Sequence, residues 1–318
     1  MNPGLYAGRH DLQIYLPIAD LSVNIFLVLG MGIAVGFISG MFGIGGGFLM
    51  TPLLIFIGIS PAVAVATVAS HISASSFTGA LTYWRKRALD LPLALMLLSA
   101  GFVGTATGVW VFTALRALGQ LDLMIGLSYV TLLTIVGGMM IYESVQAELR
   151  ARKGLPATIR RPGSHTWLHG LPLKLRFRRS KIYVSAIPVW GIGFIIGFVG
   201  AIMGIGGGFL LVPMLIYFLR VPTATVIGTS MVLTLITMAS ATVMHAATNH
   251  LVDAVLALIL MVGGVVGAQF GARTGQRLRG ERLRLLLGLL VFAVGLRFAY
   301  GLVVQPDDLY TVRQVGVE

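Results

Sequence analysis

Hydroxyl side chains and one histidine recur at helical spacing in an apolar run of the chain, residues 62–84. They are Thr67, His71, Ser75, Thr78 and Thr82, at intervals of four, four, three and four residues. This spacing puts them on one face of a helix. Hydroxyls can donate hydrogen bonds to the oxygens of an anion and can turn as a site opens. The alternative is interhelical hydrogen bonding, worth about 0.6 kcal/mol per contact, and the stripe as a whole favours neither interpretation.

A similar stripe lies in the corresponding run of the second half of the chain, residues 223–245. Its members are Ser230, Thr234 and Thr237. With their neighbours, the two stripes supply the side chains that we predict to bind a substrate. These are Thr67, Ser70, His71, Ser75, Thr229, Ser230 and Thr234.

His71 is the one ionisable group well inside an apolar run of the first half. An ionisable residue at membrane depth is a functional hypothesis by default. Its imidazole could donate to an anion, or take up a proton and couple transport to a proton gradient. A neutral histidine bonded to a neighbouring helix is the alternative. The aligned position in the second half is near Thr234, so His71 is the single candidate for proton coupling.

A glycine-rich motif precedes each stripe. Residues 36–52 recur as residues 197–213, with ten of seventeen positions identical at a fixed offset of 161. Such repetition indicates a duplicated unit. The shared core, Gly-Ile-Gly-Gly-Gly-Phe-Leu, breaks a helix at about 1 kcal/mol per glycine relative to alanine. Matched breaks in two halves of a membrane chain are the best sequence pointer to a transporter's binding site.

The chemistry of these breaks is that of a helix N-terminus. A helix that begins after the glycines directs free N–H groups and the positive end of its dipole towards the break. Two such ends meeting near the membrane midplane would bind an oxyanion without a fixed cation. The alternative is that the glycines only permit a tight turn or close packing. The predicted backbone ligands are Gly43, Gly45, Gly46, Gly47, Gly204, Gly206, Gly207 and Gly208.

The composition predicts a protein that faces lipid. Hydrophobic residues make up 57% of the 318 residues and charged residues 11%, whereas a soluble domain carries about 25% charged residues. The net charge of +12 lies in clusters between apolar runs, which argues against a nucleic-acid partner. The chain has no cysteine, no acidic cluster for phosphoryl chemistry and no Gly-x-Ser-Gly stretch of an intramembrane serine protease. We therefore predict that it is not an enzyme, with no catalytic residue, metal site or cofactor.

The apolar runs predict an all-α polytopic membrane protein built from two repeats of about five segments each. The first repeat (residues 21–142) holds runs at 21–42, 45–59, 62–84, 91–114 and 121–142. The second repeat (residues 182–304) holds runs at 182–203, 206–219, 223–245, 251–272 and 283–304. The flanking regions are an N-terminal interfacial segment (residues 1–20), a basic connector (residues 143–181) and a C-terminal tail (residues 305–318).

The basic residues predict how the chain is oriented. Residues 85–87, 150–181 and 273–284 hold 18 of the 23 lysines and arginines, and cytoplasmic loops carry such an excess. The connector is then cytoplasmic, and both termini lie outside the inner membrane. Each half crosses an odd number of times, which predicts an inverted-topology repeat. The charges allow five crossings per half, or three with the glycine-linked runs forming a re-entrant hairpin.

Two further features repeat between the halves. Glycine pairs at positions 104 and 108 and at 267 and 271 predict close helix packing, and such faces also allow a homodimer. Asp90 and Asp253 precede corresponding runs, where we expect them to cap helices.

The repeated G-x-G-G-G-x-hydrophobic-x-x-P pattern and the basic connector resemble the sulfite exporter TauE/SafE family, also called the 4-toluene sulfonate uptake permease family. The resemblance extends from about Val23 to Val304. It implies a multi-pass carrier for sulfur-containing and related organic anions, often moved outward. We therefore expect a secondary transporter that exports its substrate, whose partners are a small organic or inorganic anion and the lipid bilayer. A passive anion channel and a non-transporting membrane assembly factor are the alternatives.

Overall fold

The computed structural model describes residues 13–42, 44–85, 89–152, 173–177, 182–217, 223–275 and 280–303. Helices make up most of this part of the chain. They are α1 (Ile25–Phe42), α2 (Gly47–Phe56), α3 (Pro61–Arg85), α4 (Leu91–Ala117), α5 (Leu121–Arg152), α6 (Ala186–Met203), α7 (Gly207–Tyr217), α8 (Thr223–Asn249), α9 (Ala254–Gly275) and α10 (Gly280–Val303). Two antiparallel hairpins precede α1 and α6, and their strands are β1 (Gln13–Leu16), β2 (Leu21–Asn24), β3 (Lys174–Phe177) and β4 (Ile182–Ser185).

Every predicted apolar run corresponds to a helix, and the all-α polytopic fold class is confirmed. Seven of the described helices are long and apolar enough to cross a membrane: α1, α4, α5, α6, α8, α9 and α10. The helix α2 has 10 residues, about 15 Å, roughly half of a hydrocarbon layer. The helix α5 continues through the charged stretch after residue 142 as far as Arg152, because glutamate, glutamine, alanine, leucine and arginine are strong helix formers.

The hairpins extend the repeat beyond what the sequence analysis expected. The strands of the first hairpin lie 161 residues before those of the second, the same offset as the glycine motif. The expectation of apolar helix at residues 21–24 and 182–185 is wrong, because both segments are strands. These two strands, β2 and β4, are four residues long and run directly into apolar helices, so no change in composition marks the boundary.

The first hairpin is fastened to the start of α9 through Asp253, which is fully buried. Its Oδ2 accepts from the backbone N–H groups of Ile18 and Ala19 at 2.9 and 3.4 Å. Its Oδ1 accepts from Val255 and Leu256 at 3.1 and 3.0 Å. The capping role predicted for Asp253 is confirmed, and the same carboxylate also holds the hairpin turn.

Asp90 differs from its counterpart in the second half. It occupies the N-cap position of α4, and its carbonyl oxygen accepts the first helical bond from Ala94 N at 2.9 Å. Its side chain makes no capping bond to α4. The expectation that the Asp90 side chain caps this helix is therefore wrong.

The helices of the two halves pack in exchanged pairs. The helix α1 packs on α9, α4 on α6, α3 on α8 and α5 on α10. The first two pairs are equivalent to each other under the repeat, and the last two each join a helix to its own counterpart. The core of the molecule is thus formed jointly by both halves.

Equivalent helices run in opposite directions. Along α5 and α10, a Cβ at Gly137 would meet Phe292 and one at Gly295 would meet Leu133, so residue numbers rise in one helix as they fall in the other. Along α3 and α8, the Ser73 hydroxyl donates to Leu235 O at 3.2 Å, while Gly79 lies against Met231. An inverted repeat requires this antiparallel arrangement.

The predicted small-residue faces pack inside the chain. A Cβ at Gly104 or Gly108 would collide with the α6 backbone at Phe194 or Phe198, and the pair at 267 and 271 faces the α1 backbone in the same way. These faces are therefore covered within one molecule, and a homodimer would use other surfaces.

Candidate functional site

The two glycine breaks lie in direct contact. We call residues 44–46 the first glycine turn and residues 204–206 the second. A Cβ at Gly47 would lie 2.6 Å from both Gly204 O and Ile205 O, and one at Gly208 would lie 2.7 Å from Ile44 O. Only glycine permits this approach, so the packing role that the sequence left open for Gly47 and Gly208 is present.

The turns also require glycine for their backbone conformation. Gly45 and Gly206, which are equivalent under the repeat, have φ angles of 86° and 78°. Gly46 and Gly204 have φ angles of 70° and 62°. A side chain is strained in this left-handed region. Gly43, predicted as a ligand, lies outside the described residues.

The helices after the two turns begin side by side. The helix α2 begins at Gly47 and α7 at Gly207, and the rings of Phe48 and Phe209 stack with centroids 4.4 Å apart. Each helix N-terminus carries about half a positive charge, and α1, α2, α6 and α7 contain no lysine or arginine. The N–H of Gly47 is already engaged, since it donates to Gly45 O at 3.0 Å.

Hydroxyls from α3 and α8 lie against both turns. A Cβ at Gly45 would be 3.9 Å from Ser76 Oγ and 3.3 Å from the Thr234 methyl carbon. A Cβ at Gly207 would be 3.4 Å from Thr234 Oγ1. Thr234 thus contacts the first and second glycine motifs together, and Ser76 lies beside the first turn.

Four buried polar atoms have no hydrogen-bond partner within the part of the chain that the structure describes. They are His71 Nε2, Ser76 Oγ, Thr229 Oγ1 and Thr234 Oγ1. A buried polar group without a partner costs about 1–3 kcal/mol, and nearly all such groups in proteins are paired. All four lie on α3 and α8, and two lie at the glycine turns.

His71 has one nitrogen engaged and the other without a partner. Its Nδ1 donates to Leu260 O on α9 at 2.7 Å, and the ring fills the space beside Gly264. A carbonyl oxygen only accepts, so the neutral ring carries its proton on Nδ1. Nε2 is then a bare acceptor, and the ring can donate from Nε2 only after taking up a second proton.

The other predicted hydroxyls bond within the protein. Thr67 Oγ1 accepts from Asp253 N at 3.1 Å, next to α9. Ser70 donates to Thr67 O at 2.6 Å, Ser75 to Ile72 O at 3.1 Å and Ser230 to Ile227 O at 2.9 Å. The predicted stripe therefore does not face the turns as a unit, because Thr67 and His71 face α9 whereas Ile72 and Ser76 face the turns.

Sequence reasoning missed two polar residues. Ser76 follows Ser75 directly, and only the packing of α3 shows that Ser76 faces the first turn. His245 falls at the end of its predicted run, yet it is buried. Its Nε2 donates to Ala201 O at 3.1 Å, and Asn249 donates to its Nδ1 at 3.3 Å.

Comparison with known proteins identifies a family that matches this chain. The sulfite exporter TauE/SafE family matches the chain over residues 28–298, which includes both glycine turns. The chain belongs to the TauE/SafE family. The resemblance seen in the repeated glycine pattern is therefore confirmed, and this TauE/SafE chain is a multi-pass membrane protein.

Related proteins align over most of their length. A probable membrane transporter protein of Xylella fastidiosa (strain 9a5c) is 30% identical over 285 residues, covering 86% of this chain and 94% of that protein. The probable membrane transporter protein YjnA of Bacillus subtilis (strain 168) is 25% identical over 280 residues, covering 87% and 99%. The sulfite exporter TauE/SafE family protein 3 of Arabidopsis thaliana is 33% identical over 95 residues, covering 30% and 20%. No solved structure matches the chain.

Proposed function

We propose that this TauE/SafE protein is a secondary transporter of a small sulfur-containing anion, such as sulfite or an organosulfonate. The observation that carries this proposal is the contact between the two glycine turns, with the unpartnered hydroxyls of Ser76 and Thr234 buried beside them. The family description and the printed names of the relatives support transport as the activity.

Anion binding at this place follows from the donors that surround it. Two helix N-termini contribute roughly one positive charge in total, and the hydroxyls of Ser76 and Thr234 can donate to anion oxygens. Hydrogen bonds to a charged group are worth about 1.5–3 kcal/mol each. A site of this kind holds an oxyanion and releases it again, because no fixed cation neutralises the charge.

The burial of the site favours a carrier over a passive channel. Ser76, Thr229 and His71 are 0% exposed, and Thr234 is 1% exposed. A channel needs a continuous wet path past its selective groups. A carrier instead closes over its solute between openings to the two sides.

The packing supports an inverted repeat around this site. Equivalent helices run antiparallel, and the basic residues lie mostly in the connector and in two loops. We propose that the connector is cytoplasmic in the inner membrane and that both termini lie outside. The 10 and 11 residues of α2 and α7 favour re-entrant helices that begin near the midplane. The glycine-linked helices then form a hairpin that returns to its own side, and the other three long helices of each half cross fully.

Proton coupling falls to His71. Because its Nδ1 proton is engaged by Leu260 O, a bond from Nε2 to an anion requires the imidazolium. His71 faces α9, so it would take up the proton next to the anion site as the anion enters, and uptake would be faster from the more acidic side. Outward or inward movement follows from the gradients imposed on the carrier.

The proposal is tested with purified protein in vesicles. Uptake of sulfite, thiosulfate, taurine, isethionate and sulfoacetate is measured with and without a pH gradient, and again with unlabelled anion inside the vesicles. Saturable uptake that accelerates in counterflow supports a carrier of that anion. Non-saturable flux without counterflow would establish a channel, and neither binding nor uptake of any of these anions would establish a non-transporting role.

A further inference from the structure

The second glycine turn is tied to two hydroxyls that come from the first half of the chain. Tyr129 on α5 donates from Oη to Met203 O at 2.6 Å. Thr51 on α2 donates from Oγ1 to Gly204 O at 3.2 Å. Both side chains are fully buried, and the Tyr129 ring stacks on Phe298 with centroids 5.4 Å apart. The two carbonyls belong to consecutive residues at the end of α6, where the second turn begins.

These bonds set the orientation of the turn. In a planar trans peptide the carbonyl and the following N–H point in opposite directions. Holding the carbonyl of Gly204 on the Thr51 hydroxyl therefore directs the N–H of Ile205, and holding that of Met203 directs the N–H of Gly204. The chain then reaches Gly206 and Gly207, which lie against Thr234. The tether thus acts one or two residues before the part of the turn that adjoins the candidate anion site.

The equivalent positions of the second half carry no hydroxyl for an equivalent tether. At the offset of 161, Thr51 corresponds to Val212. The alternation of buried and exposed residues along α5 and α10 aligns Tyr129 with Val291, which is also fully buried. Valine has no hydroxyl to donate. This pair of hydroxyls is therefore not duplicated with the glycine motif.

We propose that Tyr129 and Thr51 are positioning residues that fix the second glycine turn in its anion-binding geometry. The second turn then supplies the constant half of the site, and the residues aligned with Tyr129 and Thr51 offer no equivalent hydroxyls to the first turn. This inference rests on the proposed anion transport at the turns. It adds residues from outside the motif, neither of which touches the anion in this scheme.

Transport kinetics of Y129F and T51V provide the first test. Each change removes one donor with little change in volume, and we expect the apparent KM for the transported anion to rise about tenfold, since a tenfold change corresponds to about 1.4 kcal/mol. The maximal rate per folded molecule stays within about twofold of wild type on this expectation, because the hydroxyls do not move with the substrate. Y142F, at an exposed tyrosine on α5, and T242V, at a half-buried threonine on α8, are the matched controls. An unchanged KM in both test variants would overturn the inference, as would a loss confined to the amount of folded protein.

Thiol labelling tests the tether without relying on transport. The chain has no cysteine, so I205C and I44C place single reporters at equivalent positions of the two turns. Labelling by N-ethylmaleimide should accelerate at least about fivefold at position 205 when Y129F is added, and should stay constant at position 44, because each lost bond of roughly 1 kcal/mol loosens one turn only. Equal acceleration at both positions, or none at 205, would contradict the tether. If wild-type protein moves no anion while labelling behaves as expected, the proposed function fails and the tether stands.

Discussion

His71 and His245 occupy buried positions in opposite halves of the molecule, and their surroundings differ in how polar atoms are partnered. Around His245, both ring nitrogens are bonded, and Asn249 is held in turn by the Thr113 hydroxyl at 3.0 Å and by Arg116 at its carbonyl oxygen at 2.9 Å. Around His71, Nε2 has no partner among the described residues, and neither have the hydroxyls of Ser76, Thr229 and Thr234.

The polar groups around His245 stabilise the fold, whereas those around His71 are available to bind a solute. A saturated cluster stabilises the folded protein and has no donor to offer. A cluster with unpartnered polar atoms lowers the stability of the folded protein. Such a cluster persists where function uses its free hydrogen-bond donors and acceptors.

The largest effect is expected from adding one carbon where the turns touch. G47A and G208A each place a Cβ within 2.7 Å of a carbonyl oxygen on the opposite turn, so the turns must separate. We expect no detectable anion uptake from either variant in vesicles. G30A and G191A are matched controls, since these glycines are equivalent under the repeat and have open space at the Cβ position. Wild-type uptake in G47A and G208A would remove the turns from the site.

Removing the two unpartnered hydroxyls beside the turns should weaken anion binding without harming the fold. In S76A/T234V the anion loses two donors worth about 1.5–3 kcal/mol each, so binding should weaken about 100-fold or more. Stability should hold or rise, because two buried polar atoms without partners are gone. S99A/T242V is the control, with hydroxyls that bond to their own helices. Binding of labelled anion measures the affinity, and unfolding in micelles measures the stability. A destabilised variant with normal binding would show that these hydroxyls stabilise the fold and do not bind the anion.

The saturated cluster should show the opposite pattern. N249L leaves His245 Nδ1 without its partner, whereas the Thr113 hydroxyl keeps its bond to Val109 O. The one buried nitrogen left unpaired should lower the free energy of unfolding by about 1–3 kcal/mol. Uptake per folded molecule should equal that of wild type, because the cluster contributes no donor to a solute. Denaturant unfolding in micelles and uptake normalised to folded protein measure the two effects. Loss of uptake at wild-type stability would place this cluster in the transport path.

The smallest effect is a change in the shape of the pH profile. His71 must gain a proton before Nε2 can donate to an anion, so wild-type uptake should rise as the pH on the entry side falls, by at most about tenfold per pH unit for one proton. H71Q should flatten this profile, whereas H245Q should leave it intact. If uptake by H71Q still depends on pH, a group other than His71 carries the proton coupling.

Much of the architecture could be predicted because it depends on local sequence patterns. The apolar runs marked the helices, and the duplicated glycines marked the breaks that meet in the structure. The hairpins escaped notice because their four-residue strands merge with the apolar runs of α1 and α6. The tether on the second turn also escaped, since nothing near Tyr129 in sequence points to Met203.

The choice among the hydroxyls could not be made from spacing. Helical periodicity showed that Thr67, His71 and Ser75 share a face, but not which neighbour covers that face. The packing of α9 against α3 covers part of it, and the glycine turns meet the next face, which presents Ile72 and Ser76. Because the sequence does not show that α9 covers this face of α3, the predicted and observed faces differ by one residue, or roughly 100° around the helix.

The most direct measurement of the central claim is an experimental structure with selenite, the selenium analogue of sulfite, located by its anomalous scattering. We expect one selenium site beside the two glycine turns, with its oxygens in hydrogen-bond reach of Ser76 Oγ and Thr234 Oγ1, and no such site in S76A/T234V. Selenium bound only elsewhere, with none beside the glycine turns, would contradict the proposed anion site.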